Sequence, residues 1–135
     1  EFLIMHSIEI EKLINTRLLA LPNLDLKRVA WVNQNFTITK TGIWIRPTVL
    51  GGINFMSGMA DKPCSRENGT FIIQVFCREN EGTGSLKRFA DALAQHLAYY
   101  KADKLELLTP SIIDAGFDPN TKFYQMNVSI GYRYN

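Results

Sequence analysis

The stretch Thr70–Leu97, TFIIQVFCRENEGTGSLKRFADALAQHL, changes its period half-way, and that change decides the fold class. From Thr70 to Arg78 apolar residues recur at every second position, with Phe71, Ile73, Val75 and Cys77 on one face. A period of two is that of a β-strand. Ile72 and Phe76 lie on the opposite face with Thr70, Gln74 and Arg78, so that face is partly covered as well. Asn80 to Gly84 supplies a turn. The period then becomes helical. Leu86, Phe89, Ala90, Leu93, Ala94 and Leu97 form one stripe, and Lys87, Arg88, Asp91 and Gln95 fall outside it. Thr83 or Ser85 is the expected N-cap.

The flanks extend the pattern. At the C-terminal end Tyr124, Met126, Val128, Ile130, Tyr132 and Tyr134 alternate with Gln125, Asn127, Ser129, Gly131 and Arg133. Such alternation marks an antiparallel strand with one wet face. Near the N-terminus Ser7 caps an expected helix whose apolar positions are Ile10, Leu13, Ile14, Leu18 and Leu21, ended by Pro22. Arg28 to Val32 reads as a short strand. Ile43 to Leu50 reads as another, and Pro47 makes it an edge or bulged strand because proline gives no ladder donor. Gly51 to Gly69 suggests no regular structure and reads as a long loop, although it carries Ile53, Phe55, Met56 and Met59. Lys104 to Leu108 suggests a strand. Pro110 to Thr121 reads as a loop with turn signals at Gly116 and Asp118-Pro119-Asn120. The expectation is one α+β domain over residues 1–135, an antiparallel or mixed sheet with two helices packed on one face.

Composition bounds the function. The 135 residues include 15 Lys and Arg against 13 Asp and Glu, a formal charge of +2, and the basic residues are scattered. A dedicated duplex-binding face needs clustered basic residues, and the sequence shows no such run. Two cysteines, Cys64 and Cys77, are too few for a disulfide framework and lack zinc-site spacing, so they read as thiols. No apolar run approaches the roughly 18 residues that a membrane span needs. Met5 reads as a candidate start, an expectation that leaves Glu1 to Ile4 outside the fold argument.

The search for chemistry returns structural readings. Cys77, His96 and Asp91 can be written as a nucleophile, a base and an orienting acid. Cys77, however, sits on an apolar strand face where a thiolate is disfavoured. Gly82-Thr83-Gly84-Ser85 opens a helix, yet it has Lys87 where a dinucleotide fingerprint needs glycine, and it lacks Gly-Lys-Ser/Thr. Asp114, Asp118, Asn120 and Thr121 do not have the spacing of a calcium loop. Tyr132, Arg133 and Tyr134 invite a stacking role on single strands, but both tyrosines share a face with core residues. The sequence therefore predicts no catalytic residues, no metal and no cofactor.

Val29 to Gly51 reads VAWVNQNFTITKTGIWIRPTVLG, in which Ala30, Trp31, Asn33, Phe36, Thr37, Trp44, Arg46, Pro47 and Thr48 resemble the early motifs of the small phage tail terminator-like proteins. The strand Gly69 to Cys77, the helix Gly82 to Leu97 with Ala90, Asp91 and Leu93, and the strand Met126 to Tyr134 are similar to later elements of that family. Tyr99-Tyr100 fills the place of its aromatic residue near the helix end. The resemblance implies a non-enzymatic structural protein of the virion, assembled in the bacterial host cytoplasm. It implies a homo-oligomeric, hexameric ring at the head-proximal end of the tail. Such a ring caps the tail tube, ends its polymerisation and meets a head-tail connector, with DNA passing through the channel unbound and no membrane involved. Ile53, Phe55, Met56 and Met59 are the candidate subunit or tube contacts, since apolar clusters outside a core mark partners. A different head-tail connector, minor tail or tube component is the alternative. A small enzyme or a nucleic-acid-binding module is the second.

Overall fold

The computed structural model describes residues 7–22, 24, 28–31, 36, 42–57, 64–78, 84–102 and 104–134; of 7, 51–57 and 64–67 only the backbone is described. Helix α1 spans Ser7–Leu19 and buries Ile10, Ile14 and Leu18, the stripe that the spacing predicts. Its last turn tightens before Pro22, with the Leu21 amide donating to the Leu18 carbonyl at 3.1 Å. Helix α2, Gly84–Leu97, buries Leu86, Ala90, Leu93, Ala94 and Leu97. Ser85 lies inside this helix and not at its cap, and Thr83 lies outside the described residues.

Five strands follow the order β1-β2-β5-β4-β3, and every neighbouring pair is antiparallel. They are β1 Trp44–Ser57, β2 Cys64–Arg78, β3 Lys101–Ala102, β4 Leu105–Asp118 and β5 Phe123–Tyr134. The fold is α+β. One cluster joins α1 and α2 to the inner sheet face through Ile45, Phe71, Ile73, Val75, Cys77, Met126, Val128 and Ile130. Both helices thus cover the same face. On the other face Trp44 stacks on Phe76 at 4.2 Å between centroids, and Phe123 meets Trp44 edge-on at 5.6 Å. This second cluster is what Phe76 implied when it broke the polar alternation of its face.

Three connections differ from the sequence reading. The described residues of Gly51 to Gly69 are strand and not loop. Residues 51–57 continue β1 and 64–69 belong to β2, so the two strands pair as a long antiparallel hairpin, and 58–63 lie outside the described residues. Gly51, Gly52, Asn54 and Ser57 have low strand propensity, and the register shifts between Gly51 and Asn54, which hides the period. Pro110 to Asp118 is likewise strand, paired with β5. Ser111 to Ala115 are all exposed, so no buried face writes an alternation there. Two register shifts, between Leu107 and Pro110 and between Asp114 and Gly116, break it further. Of Arg28 to Val32, expected as a short strand, the described residues 28–31 contribute a parallel bridge from Val29 to Ile45, and Val32 lies outside the described residues. Pro47 meets its expectation: β1 is an edge. The Ala30 amide donates to the Ile45 carbonyl at 2.8 Å from the side away from β2. Alternation turns the nitrogen of Pro47 to that same outer side, where no ladder bond is lost.

Candidate assembly surfaces

Of the groups that suggested catalysis, Cys77 and His96 are taken up by the fold and Asp91 lies on the helix surface. Cys77 is 3% exposed on β2. His96 faces α1, where its Nε2 donates to the Arg17 carbonyl at 2.6 Å. Arg17 answers by donating from Nε and Nη2 to the His96 carbonyl at 3.1 and 2.8 Å. Its guanidinium also lies 4.4 Å from the centre of the Tyr100 ring. The two helix C-termini are therefore clamped together, each last-turn carbonyl receiving a donor. Asp91 is exposed on the outer face of α2.

The oxygen-rich loop of the sequence is a tight hairpin end. Asp118 accepts the Asn120 amide at 2.9 Å through its carboxylate and the Lys122 amide at 2.7 Å through its carbonyl. Lys122 takes a φ of 65°, the left-handed conformation that closes the turn. Asp114 accepts the Gly116 amide at 2.9 Å and the Tyr124 hydroxyl at 2.6 Å, which pins the bulge. These donors, Tyr124 first, hold the Asp114 carboxyl below its usual range, and the Tyr124 hydroxyl is pushed up in return. Among the described residues no three His, Cys, Asp or Glu side chains gather. Tyr132 and Tyr134 are buried on the helix face, where the Tyr134 hydroxyl donates to Glu9. Arg133 points to the other face and pairs with Glu106, which also meets Lys101 at 3.2 Å. Lys101 and then Arg133 hold the Glu106 carboxyl low.

What remains is surface. The β1–β2 hairpin outruns the sheet. The last residue of β2 with a β5 partner is Glu67, opposite Tyr134. Beyond it Phe55–Arg66, Met56–Ser65 and Ser57–Cys64 pair with each other and, among the described residues, with no other strand. The candidate contacts Phe55 and Met56 lie in this arm and Ile53 lies at its base, whereas Met59 is outside the described residues. Two features escaped the sequence reading. On β4, Ile112, Ile113 and Phe117 are 36%, 56% and 45% exposed. Beside β1, a cleft of about 320 Å³ opens between Glu11, Asn15 and Leu19 of α1 and Trp31, Pro47, Val49 and Phe71. A lone Ile or Phe in a presumed loop gives no periodic signal, and a cleft between distant segments gives none at all.

Among the described residues Cys77 and His96 are engaged in the fold, and the features left over are a hairpin end, an exposed strand and a cleft. Comparison with known proteins gives that its context. The family described as phage tail terminator protein matches residues 9–132. The chain belongs to this family. It is a phage tail terminator family member, with a structural role in the phage tail and a place in the virion. No curated protein matches the chain. A solved protein structure has the same fold, with a TM-score of 0.72 at 19% identity over 98% of this chain and 97% of the other. The matched residues run from the first turn of α1 to near the end of β5.

Proposed function

We propose that this terminator forms a ring, hexameric as the family resemblance implies, on the head-proximal end of the tail tube. The ring ends tube polymerisation and offers its other side to the head-tail connector, and DNA passes through its opening without specific binding. The role is architectural and requires no catalysis or cofactor. The observation that carries the reading is the β1–β2 arm, a hairpin end with Phe55 and Met56 in its strands and no other strand beside it among the described residues. Apolar residues in a projecting element suit a partner surface.

The test is electron microscopy of lysates from phage with the gene disrupted. Tailless heads beside overlong free tails are the expected result. Tails of normal length that fail to join heads would make the protein a connector instead, and intact infectious particles would remove it from assembly. A second variant addresses the arm. Phe55→Ser with Met56→Ser is expected to leave the chain folded by circular dichroism and to abolish plaques. Normal plaque yield from that variant would remove the arm from the contact.

A further inference from the structure

The two edges of the sheet are unlike. The β4 edge presents Ile112 and Phe117 to solvent, and both lie on the face that carries the helices. Ile112 stands opposite Val128, and Phe117 stands opposite Tyr124, which is itself opposite Cys77. The β1 edge presents the cleft on that same face, with apolar walls of Leu19, Trp31, Pro47, Val49 and Phe71. Knob and cleft also stand level along the strands. Pro47 pairs with Ile73, Ile73 with Val128 and Val128 with Ile112, so one cross-strand row runs from the cleft to the knob.

Neither edge invites simple strand addition. Pro47 removes an outward donor from β1, and the Ile45 carbonyl is taken by Ala30. β4 is kinked by two register shifts. Side chains must therefore hold whatever docks here. We infer that the occupant of the α1–β1 cleft is a second copy of this chain, whose exposed β4 residue Ile112 seats against Pro47, beside Val49. The inference rests on the ring reading above and deepens it by naming the faces that meet. A contact between opposite edges is head-to-tail, and head-to-tail contacts close into rings when no rise accompanies the rotation. A level row meets that condition where the ring axis runs along the strands. A neighbour related by rotation about an axis along the strands brings Ile112 to Pro47 without sliding.

The test is a cysteine pair, Ile112→Cys with Val49→Cys, in the full chain assembled on tails and run on non-reducing gels. Each single variant serves as control for Cys64 and Cys77. The expected result is a ladder of covalent oligomers from the double variant only. Ring-sized particles of the chain without a ladder would place the interface elsewhere and overturn the inference while the ring stands. A covalent dimer from Ile112→Cys alone would show a two-fold contact and overturn it too. A chain that is monomeric on tails would sink the ring reading and the inference together. Ile112→Asp, with folding checked by circular dichroism, is expected to weaken association by about tenfold or more. Unchanged association of that variant would also overturn the inference.

Discussion

Gly69 stands opposite Tyr132 in the β2–β5 ladder, and that position has no room for a side chain. A Cβ there would press on the Tyr132 hydroxyl and ring and on the Leu50 carbonyl, the last of which is backbone and cannot move aside. Gly69→Ala is therefore expected to cost about 1–3 kcal/mol, as overpacking does, read as a lower denaturation midpoint with an unchanged slope. Gly131→Ala is the control. Its Cβ would find Leu108 Cδ1 at 3.5 Å, ordinary contact, and stability should change little. Asp114 carries the second expectation at this scale. Its carboxyl is held low in the native protein by Tyr124 and Gly116, so the ionised form is favoured by folding. That contribution is present above the unfolded pKa of about 3.9 and is lost as pH falls through the lower native value. Amide exchange at Gly116, corrected for intrinsic rates, should accelerate over that acidic window. In Asp114→Asn the pH dependence should disappear. Persistent dependence in the variant would assign it to another carboxyl.

At the scale of elements, the clamp between α1 and α2 joins residues 79 positions apart. Arg17→Met keeps the aliphatic stem and deletes the charged donors and the ring contact with Tyr100. A loss of about 1–3 kcal/mol is expected, the range for hydrogen bonds to a charged group. His96→Ala should cost less in the Arg17→Met background than in the natural chain, because the two act as one unit. Additive costs would show that the two bonds are independent. The clamp also marks how far the sequence was legible. Helix α2, the inner face of β2 and the alternation of β5 were readable because each buries one face, and burial imposes a period on the residue types. Pro47 was readable as an edge because its chemistry excludes the centre of a sheet. The ends of both long hairpins were not, since Ser111 to Ala115 are exposed on both faces and 51–57 combine glycines with a register shift. For the same reason Phe55 and Met56 were noticed as apolar residues in a polar stretch, but their place in a strand was not. The Ile112 row and the α1–β1 cleft depend on a register linking four strands, which no local pattern contains.

At the scale of the whole molecule, the body and the arm of the sheet should be separable. Three strands hold one another over the span in which β2, β5 and β4 face each other, and the helices pack on that span. Past Glu67 the β1–β2 arm has only its own ladder. Asn54 and Glu67 are paired across that boundary, so the chain can be closed there by a two-residue Asn-Gly turn in place of residues 55–66. The shortened chain is expected to fold with a Tm within about 4 °C of the natural one, a change of roughly 1 kcal/mol or less for a domain of this size. In phage it should behave as the gene disruption does, giving overlong tails and tailless heads, because the arm proposed as the partner surface is gone while the body remains. Crosslinking through Ile112→Cys and Val49→Cys should then be measured in the same shortened chain. If the ladder persists, ring closure belongs to the edges and tube capping to the arm, and the two functions occupy different parts of one sheet. If the ladder disappears while the chain stays folded, the arm closes the ring as well, and the division between edge and arm fails.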